Sequence, residues 1–180
     1  VASSTPEGAR AAAVCTGCAR HGGAGRCSEG GTRQCGARCE RADGGFAGAA
    51  IGVGGDYLER ARALVDAGVG FLCIDVAHGH HILMKEAIGA LRREVGQSTH
   101  IMAGNVATLQ GINDLADWGA NSVRCNIGGG SICSTRIQTG HGVPGLHTIF
   151  ECAQTDREVA IIADGGIRNS GDIVKALAAG

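Results

Sequence analysis

Cys133 stands in the stretch Gly128-Gly129-Gly130-Ser131-Ile132-Cys133-Ser134-Thr135-Arg136, where a thiol has small polar neighbours and a nearby cation. A thiolate is an effective nucleophile where it is exposed and its charge is supported, and Arg136 or the loop amides would supply that support. Cys73, Cys125 and Cys152 fall instead in apolar or helix-period runs and read as core thiols. Cys133 is thus the candidate nucleophile, the alternative being an inert loop thiol. Two glycine clusters, Gly128–Gly130 with Ser131 and Asp164-Gly165-Gly166, suit a phosphate, because amides without Cβ obstruction can converge on an anion. The same glycines would serve equally as tight turns in a chain with 32 Gly. His78-Gly79-His80 raises a rival chemistry, a divalent-metal pair of the kind barrel hydrolases hold at strand ends. Such a site needs more ligands, yet the later strand ends offer Asn105, Asn126 and Asp164, and His100 falls at a strand start.

These residues need a scaffold, and the spacing of apolar positions describes one. Residues 49–53, 71–76, 100–105, 122–127 and 160–164 are short, near-continuous apolar runs, the pattern of strands buried on both faces. Between them lie amphipathic stretches: Leu58, Ala61, Leu64 and Val65 ending at Gly68; Ala87, Ile88, Leu91 and Val95 ending at Gly96; Leu109, Ile112, Leu115 and Ala116 ending at Gly119. Glycine just past the last periodic residue is a helix stop. Two further helices are expected, one over Leu146, Ile149, Phe150 and Ala153, the other over Ile173, Val174 and Leu177 behind a Ser170 cap. Five βα units in a row predict a parallel sheet, and the polar residues gather just after the strands, where α/β folds bind ligands. From Val123 to Ile161 the spacing is 38 residues, against 22 from Ile101 to Val123, and the excess is the loop that carries Cys133. Long loops on compact scaffolds are usually functional.

Residues 1–45 are of another kind. The first 50 residues hold 11 Gly, 6 Arg and 5 Cys with no Lys, and Val1, Val14 and Phe46 are their only large or branched apolar residues. Such a segment has too little to bury, and it reads as a disordered or non-native leader, with the composition of a GC-rich reading-frame artefact. Its pairs Cys15/Cys18 and Cys35/Cys39 resemble a zinc ribbon in spacing alone.

Whole-chain properties narrow the classes. With 16 Lys+Arg against 17 Asp+Glu, nothing points to nucleic acid or an anionic membrane, and no apolar run approaches a span of about 18 residues. The start lacks a signal peptide's pattern, so nine cysteines read as reduced thiols and the expected location is cytoplasmic.

Three motifs together are similar to the signatures of the inosine monophosphate dehydrogenase and guanosine monophosphate reductase family. They are Ala103-Gly104-Asn105-Val106-Ala107-Thr108, Ile127 through Arg136, and Ala163 through Ile173, in the family's order and separation. The resemblance covers about residues 46–180 and implies a partial (β/α)8 TIM barrel, its five units corresponding to the third to seventh. It implies that Cys133 attacks purine C2 of a bound nucleotide monophosphate, with Thr135 assisting proton movement. Ser131, Gly165 and Gly166 would hold the 5′-phosphate side and Asp164 the ribose hydroxyls, while Asn105 and Arg124 would line the reacting base. Asp75 would face the ribose of NAD, and the carbonyls of Gly128, Gly130 and Cys133 would contact a potassium ion. A homotetramer is expected of the full-length family. Asp75 through His80 and Gly166 through Asp172 look like dehydrogenases, which oxidise IMP to XMP with NAD. Phe71–Asp75 and His100–Asn105 look more like reductases, which deaminate GMP with NADPH. A non-enzymatic nucleotide binder remains the remaining alternative.

Two positions depart from the family pattern: Asn126 stands where Gly is usual, and Gly129 where Pro is common. A full barrel needs about 250 residues and eight units. The five units legible here carry the expectation of an incomplete enzyme that turns over weakly or not at all.

Overall fold

The computed structural model describes residues 47–180; the leader and its cysteine pairs lie outside the described residues. The element order is β1 (Gly48–Ile51), α1 (Tyr57–Asp66), β2 (Phe71–Asp75), α2 (Ile82–Val95), β3 (His100–Val106) and α3 (Leu109–Trp118). Then come β4 (Ser122–Cys125), α4 (Thr135–Thr139), α5 (Gly145–Cys152), β5 (Ala160–Ala163) and α6 (Ser170–Ala179). All five strands pair in parallel in sequence order, β1-β2-β3-β4-β5, so the expected α/β architecture of a partial barrel is what forms. Among the described residues no helix is long and apolar enough to cross a membrane.

The alternation of side chains along a strand divides the sheet into two faces. Leu72 and Ile74 of β2, Ile101 and Ala103 of β3 and Val123 and Cys125 of β4 join Ala61, Met84, Ile88, Leu91, Ile112 and Leu115 of the helices in the main core. Phe71, Cys73 and Met102 form a smaller cluster with Ile162. Each fully buried Leu or Ile contributes about 1.5–3 kcal/mol, so the helix-facing side supplies most of the cohesion.

Several boundaries differ from the sequence reading. Four of the apolar runs end one or two residues sooner as strands, at Ile51, Asp75, Cys125 and Ala163, because the chain there leaves the ladder to build loops. β3 instead runs one residue further, to Val106. The cap expected at Ser170 is supplied one residue earlier: the Asn169 side chain accepts from the Asp172 N–H, and Ser170 begins the helix. The loop after β4 contains a helix that the pattern did not suggest, α4, too short to show a period. Glycine stops act as expected, with Gly96 and Gly119 as C-caps at positive φ and Gly68 just beyond the Ala67 cap.

Candidate functional site

At the carboxyl end of the sheet, Asp75, Gly104 and Arg124 occupy one cross-strand row, paired Asp75 to Gly104 and Gly104 to Arg124. A Cβ on Gly104 would lie 2.7 Å from the Arg124 Cβ, so the missing side chain lets Arg124 lie close across β3. Its Nη1 reaches Asp75 Oδ1 at 3.0 Å and its Nη2 reaches Asp164 Oδ2 at 2.9 Å. Burial disfavours the guanidinium charge, but the two carboxylates outweigh it and hold its pKa above the ordinary value. The sequence singled out Arg124 only through the family resemblance, and which carboxylates answer it depends on the register.

The ladder between β3 and β4 slips at Asn105, where Gly104 pairs with Arg124 and Val106 with Cys125. Such an extra residue re-aims its side chain. Asn105 Nδ2 donates to Asp164 Oδ2 at 2.6 Å and to the Asn126 carbonyl at 2.9 Å, while its Oδ1 is buried without a donor. Asp75, Arg124, Asp164 and Asn105 thus form one network.

The loop that carries Cys133 packs against the turn that follows Asp164. The Cys133 N–H donates to the Gly130 carbonyl at 3.2 Å. Gly130 and Gly129 lie against the turn after β5: a Cβ on Gly165 would be 3.4 Å from the Gly130 Cα, and one on Gly166 would be 2.9 Å from the Gly129 carbonyl oxygen. The Cys133 thiol is partly buried, and hydrogen bonding from Thr135, then the Arg136 charge and the Gly128 backbone, hold its pKa below that of an ordinary thiol. Cys73 is pushed the other way by burial, with Arg124 opposing. Cys125 is raised by hydrogen bonding to Cys152 and by burial. Cys73, Cys125 and Cys152 are all buried, as expected of core thiols, and hydrogen bonding with Cys125 holds the Cys152 thiol low.

A cavity of about 290 Å³ opens beside the turn, lined by Asn126, Gly129, Asp164, Gly166, Ile149 and Lys175 among others. Its volume is near the low end of ligand pockets, roughly 300–1,000 Å³. Ser131, Cys133 and Thr135 lie outside its lining, and Ser131 is exposed on the loop. Lys175 was not singled out in the sequence; it stands on the helix-period run of α6, where a lysine is ordinarily a solvated face residue.

The rival metal pair of His78 and His80 is not assembled. His80 Nε2 meets Asp114 Oδ2 at 2.7 Å beside the Trp118 ring, and His78 is favoured neutral by burial and by its histidine neighbours. Among the described residues no three His, Cys, Asp or Glu side chains gather as a metal site. His100, at the opposite end of β3, pairs with Ser122 Oγ at 2.8 Å.

Comparison with known proteins bears on the family and the fold. Residues 34–180 match the model of the IMP dehydrogenase / GMP reductase domain. Inosine-5′-monophosphate dehydrogenase of Halalkalibacterium halodurans is 53% identical over 135 residues, 74% of this chain and 28% of that protein. GMP reductase of Leishmania major is 47% identical over 136 residues, again 74% of this chain and 28% of that protein. The crystal structure of inosine 5′-monophosphate dehydrogenase from Legionella pneumophila superposes with a TM-score of 0.70 at 51% identity, covering 76% of this chain and 41% of that one. A Trypanosoma brucei GMP reductase variant in complex with guanosine 5′-monophosphate superposes with a TM-score of 0.72 at 42% identity, covering 75% and 29%. The chain spans about a quarter of the length of these curated relatives. Motifs, fold and overall likeness agree, and the chain belongs to the IMP dehydrogenase / GMP reductase family.

Proposed function

We propose that this chain carries the nucleophile and much of the nucleotide site of an NAD-dependent inosine monophosphate dehydrogenase. The observation that carries the proposal is the Cys133 loop seated on the Asp164–Gly166 turn, with a thiol whose pKa is held low. In this reading the Cys133 thiolate forms a bond to purine C2, and the C2 hydrogen departs with its electron pair. When bound, the nicotinamide accepts that hydride. The carbon, now oxidised by two electrons, is left as a thioimidate; water adds to it, the C2–S bond breaks, and XMP leaves with the thiolate restored. In this reading Thr135, two residues from Cys133, assists the proton transfer. Asp164, oriented by Arg124 and Asn105, takes the ribose hydroxyls, and the orphaned Asn105 Oδ1 gains a donor from the ligand. Ser131, Gly165 and Gly166 face the phosphate.

The family uses nicotinamide cofactors, and Asp75 fits a cofactor ribose: Arg124 engages its Oδ1 while its side chain stays 48% exposed at the strand ends. For potassium, the carbonyls of Gly128, Gly130 and Cys133 are the right donor type, since neutral backbone oxygens suit a monovalent cation. GMP reduction is the second reading, favoured by the 47% identity to the Leishmania enzyme and by the structural match to a GMP complex. The higher identity to the bacterial dehydrogenase favours oxidation of IMP.

The test is labelling by a purine nucleotide halogenated at C2, followed by mass spectrometry. Cys133 should react well ahead of Cys73, Cys125 and Cys152, and IMP should protect it. A depressed thiol pKa means that the thiolate is already populated below the pH at which a free cysteine ionises, so the rate should rise with a midpoint below that of a free thiol. Equal labelling of the four thiols would overturn the assignment. Reduction of NAD with IMP, set against oxidation of NADPH with GMP and followed by absorbance, decides the direction.

A further inference from the structure

Asn126 has no part in the site roles given above, yet three strand ends meet on it. Its N–H donates to the Val106 carbonyl at 2.9 Å, and its carbonyl accepts from Asn105 Nδ2 at 2.9 Å. Its Nδ2 donates to the carbonyls of Asp164 at 2.7 Å and Gly165 at 3.3 Å. Two carbonyl acceptors face this atom, which makes it the amide nitrogen. The residue is 5% exposed, its Oδ1 is buried without a donor, and its φ of 139° lies where L residues are strained. The strained backbone is held by side-chain bonds to carbonyls 38 and 39 residues away.

The room for the Asn126 amide comes from Gly129. A Cβ on Gly129 would lie 2.1 Å from Asn126 Nδ2 and 2.5 Å from Oδ1, closer than atoms pack, and one on Gly145 would lie 3.1 Å from the same nitrogen. The other side of Gly129 presents its carbonyl to Gly166. Asn126 and Gly129 are also the two positions that depart from the family's pattern, and here they are in contact.

We propose that Asn126 and the bare Cα of Gly129 form an interlock that sets the Cys133 loop against the Asp164–Gly166 turn, with Asn126 as a positioning residue. Its bearing on chemistry rests on the reading that Cys133 and Asp164 act on one nucleotide; the interlock itself is geometric. A methyl group at 129 displaces the Asn126 amide, frees the Asp164 and Gly165 carbonyls, and lifts the loop from the turn. With glycine at 126, that methyl group has space.

The test is a double-mutant cycle in the full chain: Gly129→Ala, Asn126→Gly and the two combined. Each protein is followed by thermal unfolding and by two rates of Cys133 modification, one with the C2-halogenated nucleotide and one with iodoacetamide. Gly129→Ala should slow the nucleotide reaction at least about tenfold while changing the iodoacetamide rate less than about threefold, because alignment rather than thiol reactivity is lost. The double variant should react like Asn126→Gly rather than show the product of the two losses, because Asn126→Gly already removes the amide that Gly129→Ala displaces. Independent, additive effects on both rate and melting temperature would overturn the interlock, as would a harmless Gly129→Ala. If Gly129→Ala does not fold, the double variant must fold and react like Asn126→Gly, and its failure to do so overturns the proposal. Should the wild-type protein show no preference for the nucleotide reagent, it is the functional reading that fails. Non-additive melting temperatures across the cycle would still sustain the interlock, and additive ones would sink it.

Discussion

Helices α2 and α6 carry similar apolar stripes but stand in opposite surroundings. In α2, Met84, Ile88 and Leu91 are 1%, 0% and 0% exposed, closed over by β2, β3 and neighbouring helices; in α6, Ile173, Val174 and Leu177 are 50%, 64% and 76% exposed. The strands repeat the contrast, for β2 is buried along Phe71–Ile74 whereas no residue of β5 is fully buried. Amphipathic periodicity states that a face wants a partner, and burial depends on whether one is packed against it. The candidate site straddles these regions: Asp75 and Asn105 rise from the well-buried strands, and Asp164 and the glycine turn from the exposed one.

The largest expected effect lies in the buried region. Ile88→Ala should lower unfolding stability by about 2–5 kcal/mol in denaturant titration, the cost of the lost side chain plus the cavity left behind. A loss under about 1 kcal/mol would mean that the helix-facing core is not the cohesive unit drawn here. Between the regions, Arg124→Met removes the cation shared by Asp75 and Asp164 and leaves two carboxylates facing without it. We expect a loss of about 1–3 kcal/mol, less than for a fully buried pair because both carboxylates keep contact with water. A loss unchanged when Asp75 and Asp164 are both replaced by asparagine would assign Arg124 a packing role alone. The smallest effect belongs to α6, where Leu177→Gln should change stability by no more than about 0.5 kcal/mol. A larger change, dependent on protein concentration, would show that a second copy covers this face in solution.

Much of this was legible in the chain before folding. β-branched runs alternating with helix-period stretches point to a parallel βα array, since each helical crossover returns the chain to the same end of the sheet and covers a strand face. Residue type alone separated Cys133 from Cys73, Cys125 and Cys152, because a thiol among Val and Ile is buried and one among Gly and Ser is reachable. The three motifs placed the chain in its family. The partner of His80, Asp114, was not legible, because it lies 34 residues away on another element. What the tertiary structure decided is who meets whom at the strand ends. Parallel register puts Arg124 across Gly104 from Asp75, the slip at Asn105 turns its amide toward Asp164, and the Asn126 side chain fills the space that Gly129 leaves. These contacts join residues up to 59 apart, and sequence spacing carries no information on register, ladder slips or the room left by an absent Cβ.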